Sequence, residues 1–131
     1  MTATPRSAAK LLQKRKADLL AEQCPSREVL MHLTSRWGVL ILLVLDTGTH
    51  RFSELRRAIG GVSERMLAQS LQRLEGDGLV DRVALDVVPP HVEYSLSPLG
   101  EEAAQRVRAL ADWIEDSLPR VMSARTRKAA S

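Results

Sequence analysis

Residues 51–78, RFSELRRAIGGVSERMLAQSLQRLEGDG, leave few folds open to the chain. The stretch reads as two short helices joined by a tight turn. The first spans residues 53–59, with Ser53 placed to cap it by accepting from backbone N–H groups one turn in. Gly60-Gly61 ends it, because glycine takes left-handed backbone angles without a Cβ clash. Ser63 caps the second helix. Val62 and Leu67 stand at its N′ and N4 positions, where an apolar staple fixes the approach of the chain. Leu67, Leu71 and Leu74 recur at i, i+4, i+7 and make one apolar stripe. Arg65, Met66, Gln69, Ser70 and Arg73 fall on other faces, and Gly76-Asp77-Gly78 closes the helix. A helix-turn-helix needs this arrangement: one helix braced by leucines, its next face free to enter a DNA major groove. Any two-helix corner with a solvated polar face has the same pattern, so both readings stand at this point.

A chain of 131 residues suits one domain with its own core. Its apolar and charged content is that of a globular protein, neither disordered nor membrane-embedded. The longest apolar run, residues 37–45, is far too short to span a bilayer. A basic start without a following apolar core gives no signal peptide, so a cytoplasmic protein is expected. A single cysteine excludes an intramolecular disulfide and a cysteine-based zinc cage. No metal or cofactor is expected.

The net charge of +3 conceals an asymmetry. Residues 1–16 hold five basic residues and no acid, and residues 119–131 hold four and no acid, whereas residues 17–118 hold ten basic against sixteen acidic. Within that acidic middle, residues 51–73 carry five arginines against Glu54 and Glu64. Positive charge is thus concentrated at the candidate DNA helix and the two ends, a pattern that phosphate binding by counterion release would use. Terminal lysines and arginines also serve solubility alone.

Taken in order, residues 7–23 favour helix, with Ala8, Leu12, Leu19 and Leu20 on or near one side. So few large apolar residues call for a partner helix. Pro25 fits the first position of the next helix and puts Cys24 at its cap, with Val29, Leu30 and Leu33 on the apolar side. Ser35 caps a helix over residues 36–46 that Gly48 ends. It is apolar all round and is expected to be the buried centre. Residues 49–51 suit a short edge strand. Residues 79–85 are rich in β-formers, and Val92, Tyr94 and Leu96 alternate with His91, Glu93 and Ser95 at a period of two. Between them, Asp86-Val87-Val88-Pro89-Pro90 is a loop stiffened by proline. Helix-turn-helix followed by a β-hairpin is the winged-helix order, with that loop as the wing. Asp86 would repel phosphate there. Ser97-Pro98 opens a last helix that Pro119 is expected to stop at Leu118. Leu99, Ala103, Val107, Leu110, Ile114 and Leu118 form a continuous seam along it. With the first helix, this seam is the candidate homodimer interface, through Leu12, Leu19, Val107, Leu110, Ile114 and Leu118.

The expected fold is mainly α with a small β-hairpin: a winged helix-turn-helix dimerising through its N- and C-terminal helices. Residues 1–23 form an arm and dimerisation helix, 24–97 the DNA-binding core, 98–118 the second dimerisation helix and 119–131 a basic flexible tail.

The pieces Cys24-Pro25, Arg36-Trp37, Arg51-Phe52-Ser53-Glu54-Leu55, Val62-Ser63-Glu64-Arg65-Met66-Leu67, Leu71-Gln72-Arg73-Leu74-Glu75, Asp77-Gly78-Leu79-Val80 and residues 89–96, PPHVEYSL, follow in an order that is itself distinctive. Across residues 24–113 the chain resembles the HxlR-type winged-helix transcriptional regulators, relatives in architecture of the MarR group. The resemblance implies a homodimer that binds operator DNA in bacteria, with dimer contacts from the first and last helices. Thr34-Ser35-Arg36 stands where that family often has glycine, glycine and lysine. In some members the cysteine matching Cys24 senses electrophiles or oxidants. A thiol at a helix N-terminus near Arg27 suits that role, since the helix dipole and a cation favour thiolate; an inert, half-buried cysteine is the other reading.

The function expected is a sequence-specific DNA-binding regulator, a repressor on a near-palindromic operator. Ser63, Arg65, Met66, Gln69, Ser70 and Arg73 are the candidate DNA contacts, with Arg51 and His91 on the backbone. Gln69 suits adenine and an arginine suits guanine. An apolar pocket between the dimer helices and the core would take a small-molecule effector, and Cys24 an electrophile. A winged-helix module for protein–protein contact is the alternative. His32, His50 and His91 show neither metal spacing nor a nucleophile–base pairing, so no enzyme is expected.

Overall fold

The computed structural model describes residues 19–131. The described elements run α1 (Pro25–Thr34), α2 (Gly38–Leu45), β1 (His50–Arg51), α3 (Phe52–Ala58), α4 (Glu64–Gly76), β2 (Val80–Leu85), β3 (His91–Leu96) and α5 (Pro98–Ala130). The three strands form one antiparallel sheet in the order β1-β3-β2. The helix-turn-helix of α3 and α4 is followed by the β2–β3 hairpin, as the hydrophobic periods require.

Most of the expected first helix, with Leu12, lies outside the described residues. Within them, residues 19–23 form turns and a bend, so that helix does not reach Gln23.

Capping chemistry fixes the helix starts. Cys24 is the N-cap of α1 with Pro25 at the first position. Ser63 Oγ accepts the Met66 N–H (3.1 Å) at the head of α4, and Ser97 Oγ accepts the Gly100 N–H (3.0 Å) at the head of α5. Two starts differ from the reading above. α3 begins at Phe52, not Ser53, because the Glu54 carboxylate reaches back to accept the Arg51 backbone N–H at 2.8 Å. That bond, aided by nearby His50, Arg51 and Arg57, holds the Glu54 carboxyl below its ordinary value. α2 begins two residues late, at Gly38. Its N-cap is Trp37, not Ser35; the Ser35 hydroxyl accepts the Gly38 N–H (3.1 Å) while donating to the His32 carbonyl (2.9 Å), so it ties α1 to α2.

The core gathers Trp37, Ile41 and Leu45 from the α2 region, Leu55, Ile59 and Val62 around α3, Leu67, Leu71 and Leu74 from α4, and Val80 and Tyr94 from the sheet. α2 is buried on only one side: Ile41, Leu42 and Leu45 are enclosed, while Leu40 is exposed and Val39 and Leu43 are half-covered. The buried centre expected there is therefore one face, and the other stays open.

Pro119 does not stop the last helix. α5 continues to Ala130 with Pro119 inside it. Proline there removes one N–H donor, the one otherwise aimed at the Glu115 carbonyl, on a side open to solvent. The arginines, alanines, lysine and methionine that follow are good helix formers and carry the helix on. The basic segment is helical through Ala130, not a flexible tail.

Candidate nucleic-acid interface

Gly61, at φ +85°, turns the chain from α3 into α4. Val62 and Leu67 are both buried, as a staple across the α4 start demands. An exposed Arg56–Glu64 ion pair at 2.7 Å also bridges the two helices and takes one of the five arginines out of the free positive charge.

α4 buries Leu67, Ser70, Leu71 and Leu74. Ser70 was expected on the DNA side, and the structure corrects this. It stands one turn beyond Leu67 and one turn before Leu74, so the apolar stripe encloses it, and a hydroxyl is small enough to fit. At about 100° per residue, the direction opposite this stripe is occupied by Arg65, Gln69, Gln72 and Gly76, all within roughly 30° of it. These residues are exposed. Met66, 41% exposed, and Arg73 flank the row on one side. Ala68 and Glu75 flank it on the other, where a cleft separates α4 from Arg82 and Tyr94 of the hairpin. Ser63 is exposed at the tip, but its oxygen is already engaged as the cap.

Gln72 and Arg82 escaped the sequence reading. A spacing of seven from Arg65 was the available signal for Gln72. Arg82 needs the strand register, which pairs it with Tyr94 on the sheet face turned toward α4.

Arg51 and His91 are not brought to this row. Arg51 lies opposite Glu93, and His91 is two residues from Glu93. By strand alternation both occupy the sheet face away from Tyr94. His91 Nε2 is 3.9 Å from Glu93 Oε2 at the wing base, where His91 pairs with Leu85. From Val83 to Gln105 there is no lysine or arginine, so the wing offers no cation of its own to a phosphate.

α5 has two sides, and the residues it buries are not those of the expected seam, of which Ala103 and Val107 are half-covered and the rest exposed. Gly100, Ala104 and Ser117 are buried. Leu99 (54%), Leu110 (52%), Trp113 (56%), Ile114 (44%), Leu118 (42%) and Met122 (47%) remain exposed. Val107, Leu110, Ala111 and Ile114 face Val39, Leu40 and Leu43 of α2 across an open apolar groove. Leu19 is half-covered, as is Cys24 at the head of α1. Among the described residues no cluster of histidine, cysteine and carboxylate side chains could hold a metal, and no single helix is long and apolar enough to cross a membrane.

A family model described as HxlR-like helix-turn-helix matches residues 32–122. The HTH-type transcriptional regulator YtfH of Escherichia coli is 67% identical over 118 residues, which are 90% of this chain and 94% of that one. The solved structure of the transcriptional regulator YtfH from Salmonella typhimurium is 68% identical, with a TM-score of 0.81 over 85% of this chain and 99% of its own. The redox regulator HypR in its reduced form is 32% identical, with a TM-score of 0.69 over 76% of this chain and 98% of that one.

Proposed function

Because the chain belongs to the HxlR-like helix-turn-helix family, whose relatives are transcriptional regulators, we propose that it represses transcription as a homodimer on a near-palindromic operator. The observation that carries this is the exposed row Arg65–Gln69–Gln72 on a helix whose opposite face is locked into the core. Such a helix presents fixed donors to base edges, with glutamine matched to adenine and arginine to guanine. Arg73 and Met66 border the groove, and Arg82 faces the strand backbone beside α4. Arg51 and His91, on the sheet face turned away from α4, serve phosphates outside this row. Ser63 supports the helix as its cap, which frees the remaining backbone amides for phosphate.

Two copies of α4 about 34–36 Å apart read successive major grooves, and the α5 seam with the α2 groove supplies the twofold contact. Cys24 is the oxidant-responsive group in this reading. It caps α1 beside Arg27 and is partly accessible. The chain has no second cysteine, so its chemistry is an intersubunit or mixed disulfide, or alkylation.

The test selects bound duplexes from a random pool with the purified chain, then titrates the selected site by fluorescence anisotropy. Affinity falls steeply with salt. Arg65→Ala weakens the selected site by about 5- to 150-fold, on the order of 1–3 kcal/mol, with the fold intact. Affinity that is unchanged in Arg65→Ala overturns the placement of α4. Absence of any selected duplex favours a module for protein contact.

A further inference from the structure

His32 and Asp77 lie 45 positions apart, yet His32 Nδ1 meets Asp77 Oδ2 at 2.6 Å, with both side chains about four-fifths buried. We infer that this bridge holds the recognition helix at its working angle. The inference rests on the regulator reading above and adds a positioning residue to it.

Apart from the Ser35 hydroxyl and the close approach of Gly38 to the His32 carbonyl, both at its C-terminal end, α1 is lightly held. None of its residues is fully buried, and Leu30 and Met31 face solvent. Leu33 alone among its large apolar residues packs on the core cluster. A polar tie therefore has unusual weight in fixing where this helix sits.

Asp77 is also an odd choice for its place. It is the C-cap of α4, where the helix dipole is negative and disfavours a carboxylate. A donor from another element offsets that cost, and His32 is that donor. Its other ring nitrogen, Nε2, lies 3.9 Å from Glu28, one turn back on α1. The helix packed on the other side, α2, has no titratable side chain in Gly38–Leu45. The imidazole thus meets two carboxylates, Asp77 at 2.6 Å and Glu28 at 3.9 Å, while the cations of the same elements are Arg27 on α1 and Arg65 and Arg73 on α4.

The same corner is clamped from a second direction. Ser97 Oγ donates to the Gly78 carbonyl at 2.6 Å, and the Ser97 N–H donates to the Leu79 carbonyl at 3.1 Å. Gly100 lies so close that a Cβ there would collide with the Leu79 carbonyl oxygen. The end of α4 is thus gripped by α1 through His32 and by the head of α5 through Ser97 and Gly100. Release of one grip leaves the other as a pivot.

The lever is long enough to matter. α4 has 13 residues, about 20 Å at 1.5 Å each. A tilt of about 5° at its C-terminal end displaces its N-terminal end, where Arg65 stands, by roughly 1.7 Å. A base-edge hydrogen bond tolerates a few tenths of an ångström.

The experiment measures selected-site and random-duplex affinity for wild type, His32→Ala, His32→Gln, Asp77→Asn and the His32→Ala/Asp77→Asn pair, with thermal unfolding of each. His32→Ala is expected to weaken the selected site about tenfold while random-duplex affinity stays within about twofold. The double variant should add little to either single one, since the two residues act as a unit. His32→Gln, which retains a donor, should recover part of the loss. If His32→Ala folds and binds the selected site as wild type does, the inference is overturned. Equal losses on both duplexes, or fully additive singles, overturn it too. Should His32→Ala fail to fold, Asp77→Asn and His32→Gln give the same comparison. Wild-type protein that selects no duplex at all overturns the regulator reading itself, and this inference with it.

Discussion

Leu110→Ala tests the seam on α5. A leucine or isoleucine side chain contributes about 1.5–3 kcal/mol when fully buried. Leu110 is still 52% exposed and Ile114 44%, so a partner that covers them recovers roughly half of that, about 0.7–1.5 kcal/mol each. In a twofold dimer every substitution counts twice. Leu110→Ala should therefore cost the dimer roughly 1.5–3 kcal/mol, a rise of about 10- to 150-fold in its dissociation constant. Ile114→Asp should cost more, because it also buries a charge without a partner. Sedimentation equilibrium across a dilution series reads this directly, and circular dichroism of the diluted variant checks that each subunit keeps its helices. The monomer fold should survive, since these side chains lie outside the core cluster. A dissociation constant unmoved by Leu110→Ala and Ile114→Asp, or a wild-type chain that stays monomeric at every concentration, would refute the interface.

Other outcomes follow from single contacts. Leu71→Ala, at a site only 1% exposed, should lower unfolding free energy by about 2–5 kcal/mol in denaturant titration. Glu54 holds a depressed carboxyl through the Arg51 N–H, so its contribution is present above the unfolded glutamate value and lost as pH falls through the folded one. The midpoint difference between wild type and Glu54→Gln should accordingly shrink on acidification, and a constant difference would count against the Glu54 bond. Cys24→Ser should abolish any change in selected-site affinity caused by oxidant. In the wild-type chain the Cys24 thiol should react with an alkylating probe faster than a free cysteine; an ordinary rate together with an oxidant response that Cys24→Ser leaves intact would remove the sensing role.

The parts of this fold written in local chemistry were legible from residues alone. Ser63, Ser97 and Pro25 start helices by rules that act within one turn, and Leu67, Leu71 and Leu74 state their own face. Ser70 misled because hydroxyl chemistry says nothing of orientation, whereas its spacing from Leu67 and Leu74 does. Ser53 misled because the Glu54 carboxylate competes for the same helix start. Pro119 was overweighted: the loss of one donor on a solvent-open side does not end a helix whose following residues favour it, and α5 runs on to Ala130. Arg82 and the His32–Asp77 bridge were out of reach, since each depends on two elements meeting across a sequence gap that no periodicity encodes. The open side of α2 was likewise invisible, because a run that is apolar all round does not say which face its own chain will cover.

Methylation interference on the selected duplex addresses the central proposal most directly, because guanine N7 lies in the major groove. The account predicts two clusters of interfering guanines about 10 base pairs apart, each weakened when Arg65, Gln69 or Gln72 is replaced by alanine. A single cluster, or interference indifferent to those three residues, would contradict it.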